Sequence, residues 1–479
     1  NSPRTIPISV VVSASANYPM LLYTLPIGVT QNTTTGYCEG VPVGIQTTRP
    51  SNWNAAATYN ITSASTPTPS AAFQNALTAS ASQNSPVIQI EAGLTLSGMF
   101  TVPTRTGTGW LVVRTANYAS LPAQGTRVYP PTDAVNMPTI TSPSLLPCLR
   151  MIGTDTRTHF LGIRVTDTAT TNLGLNYYQI ACFPHTYSQS GGNIIANDVA
   201  DQSNQPTDIW FDQCIGAGKP TGGSMRFIWA SMKRLAVTDC YLSEYKINGG
   251  ECQAILVSYG GYSYYFKNTY FEAAGENFMA GGVPSPYNVD AYNPTDLYFL
   301  NCEFRGRWKW FSWHPTYDNY NVAAKNLFEI KHAKRVLLEA CVFHETGVDA
   351  QAGYTTVFKT ASQYGGTQVR ADITQDVQML DCLHYDCQGV WSVQGSPNPQ
   401  SGIPNDRHHL INCLFHTINK QPNTASGYVT SIQNGSTNIT VERITHVLNG
   451  GDTPQGCITV SGGACNNIKM TDCLIPIGQ

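Results

Sequence analysis

The chain is poor in charge. Asp, Glu, Lys and Arg together make up 12% of its 479 residues and the net charge is −3, which leaves no basic surface for nucleic acid or for an anionic membrane. No apolar run approaches the ~20 residues of a membrane span, so membrane insertion is not expected. The chain does not open on a signal peptide either, which implies that one was removed or lies upstream. Paired CxxC motifs are missing, which argues against zinc. What is abundant instead is Gly, Ser, Thr and Asn, the composition of a secreted, extracellular or cell-surface β-solenoid.

Periodicity points the same way. Seven short alternating runs end in a cysteine followed one residue later by an apolar residue, at Cys214, Cys240, Cys302, Cys341, Cys382, Cys413 and Cys473. Thr269 and Ile444 stand in for the cysteine in two further copies, and the nine copies then return every 26 to 41 residues. Repeats of 20 to 50 residues signal a solenoid. Within a copy the apolar residues alternate, as in Leu297, Phe299, Cys302 and Phe304, with a kink at the Asn or Asp before the cysteine. A two-residue period means strand. A second alternating run precedes most copies, as at Phe328 to Ile330, and no room remains for helices. The expected fold is all-β, a right-handed parallel β-helix whose rungs stack ~4.8 Å apart.

Two segments are expected: an N-terminal part over 1–68 and the β-helix over 69–479. The first holds a strand at Thr5 to Ser13, like the end of an immunoglobulin-like module, and a Ser/Thr/Pro-rich linker. Pro69 to Ala81 reads as a capping helix, with Ser70 as N-cap and Phe73, Ala76, Leu77 and Ser80 on its inner face. At the far end Ile475 to Gln479 stops in or just after a rung. Either the chain belongs to a longer multidomain protein, or neighbouring copies cover its ends in a head-to-tail assembly. The repeat cysteines are expected to be reduced and buried, because in-register Cβ vectors make poor disulfide geometry. Cys457 and Cys465 are the better disulfide candidates.

The densest polar stretch is Lys325 to Val336. Phe328 and Ile330 point inward by alternation, which places Glu329 and Lys331 outside, and one rung later Lys359 falls over Lys331. Two ammonium groups at rung spacing repel unless an anion lies by them, either Glu329 or a bound uronate. This stretch, together with Gly275 to Gly282 and the cap helix, resembles secreted bacterial right-handed β-helix proteins of the pectate-lyase-like superfamily over about residues 70 to 475. A weaker similarity is to the chondroitinase B and alginate lyase family. There a Lys in a Lys-Ser motif acts as base and an Arg in an Arg-His-Gly motif assists as acid, whereas here Lys331 precedes His332 and Lys359 precedes Thr360.

The function expected is that of a polysaccharide lyase. Lys331 would be the base, Lys359 or Arg335 would neutralise the uronate carboxylate, and His332 is an alternative acid. Glu272, Glu276, Glu329 and Asp349 could instead hold Ca²⁺, the expected cofactor if there is one. An aromatic insertion over Arg305 to Asn321 offers Trp308, Trp310, Trp313 and Tyr317 for sugar rings, with Arg305, Arg307 and His314 as donors. The competing expectations are a solvated surface ladder of Glu329, Lys331 and Lys359, and rings that simply pack over the coil. At the level of function, the alternatives to a lyase are a carbohydrate-binding or adhesive module and a structural filament protein.

Overall fold

The computed structural model describes residues 37–38, 40–168, 178–183, 205–258, 260–282, 293–361, 373–395, 405–418, 428–447 and 456–475. The expected Thr5 to Ser13 strand lies outside them. Each complete coil contributes one strand to each of three parallel sheets, and sheet A has one further strand at either end. Sheet A has 13 strands, from Tyr59–Ile61 to Asn466–Thr471, and sheets B and C have 11 each, from Thr95–Ser97 to Thr445–Val447 and from Phe100–Val102 to Gly456–Ser461. The fold is a right-handed parallel β-helix. Among the described residues no helix is long and apolar enough to cross a membrane.

The cysteine of each repeat sits in the turn from sheet A to sheet B, and the residue before it explains the kink. Gln213, Asp239, Asn268, Asn301, Ala340, Asp381, Asn412, Arg443 and Asp472 all have φ between 48° and 57°. Asn and Asp tolerate this left-handed conformation best, which is why they dominate the position. Their side chains also bond between rungs: Asn268 Nδ2 donates to Asp239 Oδ1 at 2.8 Å and Asn301 Nδ2 to Asn268 Oδ1 at 3.3 Å. The thiols turn inward, as Cys341 shows by reaching the Phe299 and Glu339 carbonyls at 3.5 and 3.4 Å. Burial pushes that thiol well above its ordinary pKa, so it behaves as a small hydrophobe.

Cys457 and Cys465 correct one expectation, since both are unbridged thiols. Cys457 Sγ lies 3.6 Å from His446 Nδ1.

Inside the coil flat rings stack on successive rungs. Phe271, Phe304, Phe343 and His384 follow one another at centroid distances of 4.9, 4.8 and 4.6 Å, with ring planes within 7°. Each such contact adds to area burial.

The N-terminal end differs from the expectation in two ways. The cap helix spans Pro69–Ser80 and buries Phe73, Ala76, Leu77 and Ser80, but its N-cap is Thr68, whose hydroxyl accepts from the Ala71 N–H. Ser70 instead accepts from Ser97 N of the first coil. Moreover, Tyr59–Ile61 already pairs in sheet A, and the described residues before it, 37–38 and 40–58, are no loose linker. They run along the outer face of sheet A, where Cys38 is buried among Trp210, Ala236, Tyr265, Tyr298 and Leu337. Arg49 is ion-paired there with Asp212 at 2.7 Å. Low charge and many Ser and Thr mark a strap held by specific contacts as readily as a linker.

Candidate functional site

The outer face of sheet C carries the polar cluster that the Lys325 to Val336 stretch announced. Each strand there enters with two consecutive inward residues, such as Phe227 and Ile228 or Leu327 and Phe328, all of them core. Outward positions therefore fall three apart, and two ladders result. One runs Arg226, Gln253, Glu276, Asn326 and the other Trp229, Leu256, Met279, Glu329, Val357, in register from rung to rung.

Around Glu276 and Glu329 three ammonium groups converge. Lys359 Nζ stands 2.9 Å from Glu329 Oε1 and Lys331 Nζ 3.9 Å from the same oxygen. Lys325 Nζ stands 3.4 Å from Glu276 Oε1 and is also bonded to Glu251. Amide groups complete the carboxylates: Asn326 Nδ2 donates to Glu329 Oε2 at 3.1 Å, and Gln253 Nε2 to Glu276 Oε2 at 2.6 Å. Gln253 in turn accepts from Arg226 Nε at 2.6 Å.

Glu276 and Glu329 are wholly buried, and the rim is formed by Glu251, Lys325 and Lys359, whose side chains are 49%, 12% and 19% exposed. The ladder is thus outward but not solvated. Two carboxyl groups this close cannot both ionise cheaply. Burial, followed by the charge of Glu329, raises the Glu276 carboxyl to about 8. Burial would raise Glu329 too, but Lys331 and Lys359 outweigh it and hold that carboxyl below its ordinary value. At neutral pH the cluster holds one protonated acid and one ionised carboxylate, and the lysines leave it with excess positive charge.

Not every expected residue belongs here. Arg335 lies on sheet A, where it forms a two-pronged ion pair with Asp296 at 2.7 Å. Arg234 does the same to Asp208, and Arg407 to Asp376. All six residues have φ between 54° and 61°, so Arg335 is one member of a structural Asp/Arg ladder. His332 is buried, and its Nε2 faces the Ser258 carbonyl at 2.8 Å instead of the carboxyls.

The four residues expected to hold calcium do not converge. Glu272 is on sheet B, bonded to Tyr270 Oη at 2.5 Å and to Arg307 at 2.8 Å. Asp349 accepts the Ala324 N–H at 2.8 Å. Glu276 and Glu329 face lysines. Among the described residues no group of three or more His, Cys, Asp or Glu could hold a metal, so the donor set does not fit Ca²⁺.

The aromatic insertion saddles the corner between sheets B and C. Trp310 and Phe311 are buried with Ile247, Cys252, Ala274, Val322 and Ala324. Trp308, Trp313, His314 and Tyr317 are only half-buried, and Trp308 stacks on His314 at 5.5 Å. The cations clamp the loop to sheet B: Arg305 to Glu345 at 2.6 Å, Arg307 to Glu272 at 2.8 Å and Lys309 to Glu244 at 2.8 Å. The rings chiefly pack, and the donors are used for attachment. Of the expected rings, Trp308, Trp313, His314 and Tyr317 keep surface for a ligand.

No family model and no curated protein matches the chain. Among solved structures it is similar to DFA-IIIase from Arthrobacter chlorophenolicus A6 without its lid, at 10% identity over 88% of this chain and 93% of that one, with a TM-score of 0.44. It is similar to alginate lyase from Paenibacillus sp. str. FPU-7 at 11% identity over 88% and 100%, with a TM-score of 0.33. For ORF18 of Geobacillus virus E2 the values are 12%, 86% and 62%, with a TM-score of 0.43, so this chain spans 62% of that chain's length. Values this low say nothing about the reaction.

Proposed function

We propose that the protein is a secreted, polysaccharide-directed enzyme that cleaves a uronate-containing glycan by β-elimination on the outer face of sheet C. The observation that supports this reading is the convergence of Lys325, Lys331 and Lys359 on a carboxyl pair of which one member, Glu276, keeps its proton to about pH 8. Lys359, the lysine closer to Glu329, remains a cation and neutralises the uronate carboxylate. Lys331, the more loosely tied, is the base that takes the proton α to that carboxylate. The electron pair left behind forms the carbon–carbon double bond while the glycosidic carbon–oxygen bond breaks. Glu276 gives its proton to the leaving oxygen, and water restores both groups.

The complete burial of Glu276 and Glu329 favours a second reading, a module that binds acidic glycans through the lysine rim without cleaving them. Purified protein incubated with alginate, polygalacturonate, glucuronan and chondroitin, with and without Ca²⁺, separates the two. Ultraviolet absorbance of the unsaturated product should rise with one of these and fall by about a hundredfold or more in Lys331→Ala and Glu276→Gln. No product from any of them overturns β-elimination, and retardation in glycan-affinity gels without product establishes the binding module.

A further inference from the structure

Trp229 has no part in the cluster, yet it stands on the cluster's own ladder. It lies on the Arg226–Ala230 strand and is joined through Leu256 and Met279 to Glu329 by three in-register rung steps. That separation is about 14 Å along the sheet. Its ring is half-buried, and the buried rings of Tyr178 and Phe183 stand edge-on to it at 5.6 and 5.8 Å. The Arg226 guanidinium lies 5.4 Å from the ring centroid. Trp229 Nε1 donates to Ser258 Oγ at 2.7 Å, and the carbonyl of the same serine accepts from His332 Nε2 at 2.8 Å. The indole is thus held in one orientation, and the holding network ends at the residue beside Lys331.

A glycine turn lies between Met279 and Lys331. Met279 is covered by the turn Gly281–Gly282, where both residues have positive φ, 85° and 75°. A Cβ on Gly282 would lie 1.9 Å from Met279 Cε, and one on Gly281 would lie 2.6 Å from the His332 ring. Glycine is required there by conformation and by space together. Among the described residues, this turn therefore adds no side chain over Met279.

We propose that Trp229 is a sugar-stacking platform, a distal subsite on which a ring of an acidic polysaccharide rests when another of its residues lies at Lys331 and Lys359. The assignment rests on the reading of sheet C as a glycan site, but not on β-elimination. A fixed aromatic ring offers contact area to the apolar face of a sugar at little entropic cost.

Chain length is the diagnostic variable, because a short oligosaccharide at the lysines cannot reach across three rungs. Affinity electrophoresis with alginate, polygalacturonate, glucuronan and chondroitin identifies the glycan retained. Trisaccharides and octasaccharides of that glycan are then titrated into wild type, Trp229→Ala and Trp229→Phe. The expected result is about a tenfold loss of octasaccharide affinity in Trp229→Ala, trisaccharide affinity within twofold of wild type, and octasaccharide affinity largely restored in Trp229→Phe. Equal losses for both lengths, or none, overturn the platform. If Trp229→Ala fails to fold, Trp229→Phe against Trp229→Leu decides in the same way, since only the former keeps a ring. Product formation with unaltered octasaccharide binding removes the platform and leaves the reaction standing. Length-dependent binding without product does the reverse. If none of the four glycans is retained, the platform falls with the site.

Discussion

Glu276 concentrates the chemistry of the molecule in one side chain. Its folded pKa, about 8, stands above its ordinary 4.5, so its contribution to stability is fully present below about pH 4.5 and is lost as pH rises through 8. Glu276→Gln, neutral at every pH, should therefore gain on wild type as the solution becomes alkaline, by an amount on the order of a few kcal/mol between pH 5 and 9. Urea unfolding at the two pH values measures this, and a constant difference would mean that Glu276 titrates normally. Arg335 provides the contrasting case. Its ion pair with Asp296 is structural, with side chains only 20% and 10% exposed, so Arg335→Ala should cost about 2 kcal/mol and leave product formation unchanged. A hundredfold loss of turnover in a folded Arg335→Ala protein would restore it to the site. The sequence set Lys359 over Lys331 by matching the inward residues Phe328 and Ile330 to Thr356 and Phe358, and those pairs are in register. It could not show that Arg226, Gln253, Glu276 and Asn326 share a ladder. The turns that separate those strands from the repeat cysteines differ in length, so no constant offset links the two.

At the level of elements, the turn from sheet A to sheet B was legible because its left-handed residue selects Asn and Asp. What lines the lumen was legible only as alternation, and three inward positions of the later coils hold histidine where earlier coils hold aliphatic or aromatic residues. His384 and His408 are fully buried, and burial lowers both to about 3. His384 keeps one partner, the Thr355 hydroxyl at 2.9 Å, while neither nitrogen of His408 has one. A base whose folded pKa is depressed contributes stability above its ordinary 6.5 and loses it as pH falls toward 3. At pH 4.5 each of these histidines should cost on the order of 2 kcal/mol. The strands Leu383–Cys387 and Asp406–Ile411 should then lose hydrogen-exchange protection before Lys233–Thr238 does. His408→Phe should delay the loss, and acid opening that is uniform along the coil would rule the histidines out as its cause.

On the scale of the whole molecule, a solenoid is a one-dimensional stack in which each coil touches only its neighbours, so distant coils can melt separately. The strap before Tyr59 breaks that rule. Tyr37 Oη meets His409 Nε2 at 2.7 Å, the Val43 carbonyl accepts from Ser263 Oγ at 2.9 Å, and the Trp53 and Ala55 carbonyls accept from Arg114. These contacts reach from the Asp406–Ile411 strand to the Leu111–Thr115 strand, nine consecutive members of sheet A and about 38 Å of the axis. On the third of these strands counted from Leu111–Thr115, Arg49 closes on Asp212, a wholly buried carboxylate that also faces His159 at 3.2 Å. Removing that cation leaves the charge to His159 and a long hydrogen bond from the Thr238 hydroxyl at 3.4 Å, so Arg49→Ala should cost about 3 kcal/mol. Deleting residues 1–56 removes every one of these ties while sparing the first strand and the cap helix. Calorimetry should then show the single transition broaden or split, with a van't Hoff enthalpy well below the calorimetric one. The earlier component should belong to the coils bearing His384 and His408, which the strap ties to the N-terminal half through Tyr37. A single transition at an unchanged midpoint would mean that neighbour-to-neighbour pairing alone makes the coil cooperative and that the strap only covers apolar surface.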